Sequence, residues 1–303
     1  MKKMSDLGRS LKIVLKTTKS KALSRFVPLR HIANEVRVVM LFAINYFNQG
    51  VPGFSLYRKL NLPNWYHDFS IVGIKTRTFR EGGYDLSQKI KEPILFNYIE
   101  NASGIVKARN GEKKTPSSLV DLFCADAYYS IYALHNDLVE LAVGVDSEEG
   151  SGEGFVRGGV LDQADTISKI CTLQGKLSLN KSDVMEYRGV FDICLCIGGL
   201  YHISDPLSLL RRISAQTRHV LVIQTIIPSH VNEETPFFVT PAPHWTWGSR
   251  FNKKYLIDAL TGMGWTISAV DVKPMLVNSN EWDKLSLSLL CVKNPDKTVT
   301  EFP

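Results

Sequence analysis

Acidic residues recur in this chain at the ends of short apolar runs, where a carboxylate can hold a ligand. Leu119-Val-Asp-Leu-Phe-Cys-Ala-Asp126 carries Asp121 and Asp126 on either side of a short loop. Ala142-Val-Gly-Val-Asp146 places a third acid 25 residues after Asp121, with Ser147 next to it. An acid at that point accepts hydrogen bonds from both hydroxyls of a ribose. Ser182-Asp-Val184 adds an acid and an adjacent backbone N–H, a pair suited to an adenine edge. Cys196-Ile-Gly-Gly-Leu-Tyr-His202 follows another apolar run. Gly198 and Gly199 are expected to leave room for a ligand, with Tyr201 and His202 pointing into the cleft. Imidazole titrates near neutral pH, so His67 and His202 are candidates to take a proton from an acceptor hydroxyl. Each residue also has a plain structural reading, as a turn cap or a packed ring.

The loop between Asp121 and Tyr129 is poor in glycine. Phe123, Ala125 and Ala127 stand where a phosphate cradle would carry glycines, and no GxGxxG or GxxxxGK[ST] stretch occurs in the chain. A pyrophosphate needs several free N–H groups at close range. S-adenosylmethionine carries a sulfonium, an amine and a carboxylate instead, and it is the expected cofactor. Asp121 is expected to anchor the network around its amine, with Phe123, Ala125 and Tyr129 lining the loop. Asp126 is expected to cap the following helix. Ala125 and Ala127 are expected to avoid positive φ, where a Cβ is costly. Trp65, Tyr128, Tyr129 and Tyr201 offer aromatic faces to a cation. Thr240-Pro-Ala-Pro-His-Trp-Thr-Trp-Gly-Ser-Arg250 suits a lid, with Trp245, Trp247 and Arg250 as substrate-binding candidates.

These residues need a frame, and the hydrophobic pattern supplies one. A helix is expected from Asp85 to about Asn101, then a polar loop over 107–117. After it, strands at 119–123, 141–145, 177–179, 191–197 and 219–225 alternate with helices at 129–136, within 153–173 and at 206–215. A long loop over 228–250 precedes a helix at 252–263, and strands at 266–272 and 285–292 close the chain. Alternation of this kind means a mainly parallel sheet covered on both faces. The last two strands have no helical pattern between them, so they are expected to form an antiparallel hairpin at one edge. The fold expected is α/β and Rossmann-like, with a basic helical N-terminal extension. Three parts follow: 1–53 as the extension, 54–116 as a covering segment of irregular structure and short strands with an entry helix, and 117–303 as the Rossmann-like domain.

The formal net charge of +6 is unevenly spread. Residues 1–37 hold ten Lys/Arg against two acids, whereas the remainder holds 26 against 28. An anionic partner for the N-terminus, tRNA phosphates or a membrane surface, fits that asymmetry. Val36–Phe47, the most apolar stretch, is well short of the ~20 residues that span a bilayer. Neither a transmembrane segment nor a signal peptide is expected. Five cysteines without CxxC spacing or a histidine cluster make a metal site unexpected and fit a reducing, cytoplasmic compartment.

With these motifs in place, the chain resembles the class I S-adenosylmethionine-dependent methyltransferases, in particular the tRNA wobble-uridine group that forms 5-methoxyuridine and 5-carboxymethoxyuridine. The matching pieces are Asn64-Trp-Tyr-His67, Leu119–Asp126, Ala142–Asp146, Gly198–His202 with Asp205-Pro206, and Leu221–Thr225, within roughly residues 60–292. The resemblance implies a seven-stranded sheet with a reversed final hairpin. It also implies that Asp146 holds the ribose, that Asp183 and Val184 border the adenine, and that Tyr201 lies near the transferred group. His67 stands where the carboxymethyl-transferring branch has a lysine, which implies plain methyl transfer. Three alternatives stay open: a hydroxyl of tRNA as acceptor, a small molecule or sugar as acceptor, and a cofactor-binding pseudoenzyme. A homo-oligomer is compatible with each.

Overall fold

The computed structural model describes residues 60, 65–78, 83–111, 117–148, 159–276 and 280–294. The expected N-terminal extension, 1–53, lies outside the described residues. By internal packing the chain divides into two units, residues 1–62 with 68–77 and residues 63–67 with 78–303.

In the first unit, Asp68 accepts from Ser70 N and caps a 3-10 helix, Phe69–Val72, which Gly73 ends at φ 79°. A short strand was expected over this stretch. The Asp68 carboxylate also accepts from Thr76 N, so local polar capture wins over extended backbone.

The second unit opens with Trp65 bridged to Thr78. Helix α1, Gly83–Asn110, carries Pro93 inside it and runs beyond the expected end near Asn101, so Lys107–Asn110 are helical rather than loop. Strand β1 (Ser118–Leu122) leads to α2 (Tyr128–His135), β2 (Leu141–Asp146), α3 (Val160–Ile170), β3 (Leu177–Lys181) and β4 (Phe191–Ile197). Then come α4 (Pro206–Gln216), β5 (Thr217–Ile227), the two-residue strands β6 (Phe238–Val239) and β7 (Arg250–Phe251), and α5 (Lys253–Gly262). Strands β8 (Trp265–Pro274) and β9 (Leu285–Lys293) finish the order. Asp205 and Asn252 cap α4 and α5 through their side chains.

Seven strands form one sheet in the order β3-β2-β1-β4-β5-β9-β8. The first five run parallel, and β9 is antiparallel to both β5 and β8. This is the expected sheet with its reversed final pair. The order reverses between β1 and β4, which puts the crevice at their carboxyl ends.

Side chains alternate between the faces of each strand. Val120, Leu122, Cys194, Cys196, Leu221 and Ile223 pack with α4 and α5 on one face. Leu119, Asp121, Leu195, Val222 and Gln224 therefore point to the other, where α1 packs chiefly on β5 and β9. The carboxyl end of α1 sits at the amino ends of the parallel strands, since Arg109 donates to the Lys293 carbonyl and Ser103 to the Leu138 carbonyl. Its N-terminal half thus approaches the crevice. Among the described residues no helix is long and apolar enough to cross a membrane.

Candidate active site

The loop after β1 takes a shape its sequence disguises. Phe123, Ala125 and Ala127 have φ of 61°, 48° and 54°, so three side-chain-bearing residues in five sit in the left-handed region. This corrects the expectation that the alanines avoid it. Each such residue costs roughly 1–2 kcal/mol, and local hydrogen bonds offset the cost. Cys124 N donates to the Val145 carbonyl, Ala125 N to Asp146 Oδ2 and Ala127 N to the Cys124 carbonyl, at 3.1, 2.9 and 2.7 Å.

Asp126 is fully buried and does not cap α2, whose N-cap, Ala127, has no side-chain bond. Its carboxylate turns to His67 instead, accepting the backbone N–H at 2.8 Å on Oδ2 and meeting ring Nδ1 at 2.6 Å on Oδ1. The His67 ring stacks on Tyr128 at 4.3 Å and meets Tyr66 and Tyr129 edge-on. With Nδ1–H held by a carboxylate, Nε2 is the basic nitrogen of the ring. The apolar packing of Trp65, buried beside this segment, does not present it to an acceptor.

Asp121, Asp126 and Asp146 together make the site strongly anionic. Asp121 is 1% exposed and accepts from Ser130 Oγ at 3.0 Å. Burial raises its carboxyl to about 7, with the charges of Asp146 and Asp126 adding to the effect and the Ser130 bonds opposing it. Asp146 ends β2 as expected, and its carboxylate accepts from Ala125 N and Glu148 N. Ser147 follows at half-burial. Beyond β3, Asp183 closes its own turn by accepting from Met185 N at 2.7 Å, and the buried Val184 gives its carbonyl to Arg212. Neither bond uses the Val184 N–H, the backbone group expected at an adenine edge.

At the end of β4 the two glycines differ. Gly198 has φ 76°, and a Cβ there would find a single neighbour within 4 Å, Gln224 Oε1 at 3.9 Å. At Gly199 the space is taken by Phe123: an added Cβ would lie 1.9 Å from its ring. The expectation of room at both glycines holds for the first alone. Gln224 was unassigned in the sequence. Its Nε2 bonds the Thr225 carbonyl and Ser286 Oγ, and Oε1 is buried without a partner.

The long loop after β5 docks on the 3-10 turn Leu200–His202. Ser249 N and Arg250 donate to the Tyr201 carbonyl, and the His202 ring stacks between Tyr201 and Trp247. Burial, then the Arg250 charge, lower the His202 imidazole to about 4, so it is neutral at pH 7. That makes it a weak proton acceptor. Arg250, expected to bind substrate, is 2% exposed and ion-paired with Asp283 at 2.6 Å. Its guanidinium braces the loop from within. Trp245 and Trp247, 4.7 Å apart and edge-on, stay exposed at 41% and 42%. Among the described residues no cluster of His, Cys, Asp and Glu could hold a metal.

An S-adenosylmethionine would fit this arrangement by charge: its sulfonium and ammonium would meet the carboxylates of the loop, and its ribose would meet Asp146. No protein-family model matches the chain, and no curated protein matches it. Solved structures do. The N-terminal domain of EvdMO1 with SAH bound is 17% identical over 79% of this chain and 95% of that one, at a TM-score of 0.51. Magnesium protoporphyrin IX methyltransferase (ChlM) of Synechocystis PCC 6803 with bound SAM is 13% identical over 85% and 97%, at 0.46. The 1,6-didemethyltoxoflavin-N1-methyltransferase of Burkholderia thailandensis is 14% identical over 71% and 91%, at 0.44. The last two are too distant to support an inference. The strand order, the reversed β9 and the EvdMO1 likeness give this chain the Rossmann-like fold of the class I S-adenosylmethionine-dependent methyltransferases.

Proposed function

We propose that the protein is an S-adenosylmethionine-dependent methyltransferase whose acceptor is a hydroxyl. The observation that carries this is the Asp126–His67 pair beside the anionic loop at the crevice of a methyltransferase fold. The cofactor supplies an activated methyl group. Asp121, Asp126 and Asp146 provide the negative field that favours a cationic cofactor, with Gly198 leaving space at the end of β4. Methyl transfer is an in-line displacement, so positioning supplies most of the acceleration. A hydroxyl must lose its proton as it attacks. Asp126 fixes the His67 tautomer and stabilises the imidazolium, and Nε2 takes the proton. Tyr201 and the exposed Trp245–Trp247 pair flank the mouth, where a planar ring can stack.

For the acceptor itself we favour the wobble-uridine 5-hydroxyl of tRNA, in the cytoplasm, because residues 1–37 are strongly basic. A small-molecule or sugar hydroxyl is the second reading, favoured by the exposed tryptophan pair, which suits a single ring. Incubation with methyl-labelled cofactor against total tRNA and a small-molecule extract decides the matter. Label in tRNA nucleosides supports the first, and label in the extract alone supports the second. Cofactor binding with no transfer to either would leave a non-catalytic binder.

A further inference from the structure

The sheet-facing stripe of α1 runs through Ser87, Lys91, Leu95, Tyr98 or Ile99, Ala102 and Val106, all buried. Its lower part is apolar, as a helix packed on a sheet requires. Its upper part, toward the crevice, is not. Lys91 is 9% exposed and makes no hydrogen bond or ion pair with any described residue. Ser87 lies one turn earlier on the same face. It is 3% exposed, and its Oγ has no partner. The neighbouring Glu92 carboxylate also engages the Tyr128 hydroxyl on the α2 side, and its charge offsets only part of the desolvation of Lys91. A buried ammonium is retained against a large desolvation cost when an anion is there to meet it.

The surroundings point the same way. The Tyr129 hydroxyl at the start of α2 is likewise buried without a partner and can donate to an oxyanion, whereas Gln224 Oε1, on the sheet face that α1 covers, only accepts. Elements α1, α2 and β5 thus each carry an unsatisfied buried polar atom, and native interiors rarely keep such atoms without a ligand or water to meet them.

We propose that Lys91 and Ser87 form a subsite for an oxyanion, a carboxylate or a phosphate, carried by the methyl acceptor. As an acceptor subsite this rests on the methyl-transfer reading; as an anion site it stands by itself. The ammonium attracts the charge and the serine hydroxyl donates to a second oxygen. Burial lowers Lys91 to about 8, so the site is charged at pH 7 and loses its anion as pH rises through 8.

The test is calorimetric titration of the full chain with inorganic phosphate and, separately, acetate, at constant ionic strength. Saturable binding of at least one is expected, and the stronger arm names the acceptor's anion. Lys91→Met should weaken it tenfold or more, Ser87→Ala severalfold, and pH 9 should weaken it about tenfold. S-adenosylmethionine affinity should be unchanged in both variants. Binding unaltered by Lys91→Met, or no binding of either anion to the wild type, overturns the proposal. If Lys91→Met does not fold, Ser87→Ala and the pH series decide in its place. Failure of S-adenosylmethionine to bind even the wild type would instead defeat the methyl-transfer reading, and the anion titrations would still decide the subsite.

Discussion

Replacing Asp121 by asparagine should stabilise the protein and damage its site at the same time. The carboxylate is 1% exposed and titrates near 7 in the folded chain. An unfolded aspartate titrates near ~3.9, so the shift corresponds to a penalty on the order of 4 kcal/mol for ionising Asp121 in place. The sign follows from its direction. Below pH ~4 both states are protonated and nothing is lost. Between ~4 and 7 the unfolded state releases the proton and the folded state keeps it, so stability falls; above 7 the whole penalty is present. Asparagine has no such dependence and still accepts from Ser130, though its buried NH₂ costs about 1 kcal/mol. Asp121→Asn should therefore unfold about 3 kcal/mol harder than wild type at pH 8 and about 1 kcal/mol more easily near pH 4. Urea titrations at the two pH values measure this directly. The variant should also lose affinity for S-adenosylmethionine at pH 8, and wild-type affinity should rise as pH passes through 7. An equal stability difference at both pH values would show that Asp121 ionises like an ordinary carboxylate and would refute its raised titration.

His67→Gln and Asp126→Asn should each lower turnover by 10²–10⁴-fold, the usual range for a lost general base, with cofactor affinity retained for the first. Combined, they should cost little more than either one, and additive losses in single-turnover assays would separate the two residues. Ala127→Gly should raise the unfolding free energy by about 1 kcal/mol by relieving the left-handed backbone; a lower midpoint in urea would contradict that φ. Arg250→Met removes the buried ion pair with Asp283 and should destabilise by about 3–5 kcal/mol. A thermal midpoint equal to wild type would mean that the arginine is free for a ligand after all.

The frame was legible because it depends on periodicity. Apolar runs separated by helical stripes locate every strand of the sheet to within a few residues, and the lack of a helical pattern between the last two foretells their reversal. The loop after β1 was misread because its backbone torsions depend on hydrogen bonds that Cys124 N and Ala125 N donate to Val145 and Asp146, which lie on another strand. No property of an alanine announces positive φ. Asp126 was misassigned for a related reason: an acid just before a helix is ordinarily its cap, and the competing partner lies 59 residues earlier in the chain. Arg250 looked available because arginines generally are, whereas its pairing with Asp283 is a tertiary event.

The double grip of Asp126 on His67 has a further consequence. One carboxylate fixes both the backbone and the ring of a residue in a distant segment, so neither position can change alone without harming the other. Across relatives, positions 67 and 126 should coevolve: lineages that abandon the histidine should also abandon the aspartate, and the pair should be inherited or lost as a unit. A sequence that keeps the three loop acids but not the histidine would then mark a lineage that has exchanged hydroxyl chemistry for an acceptor needing no base.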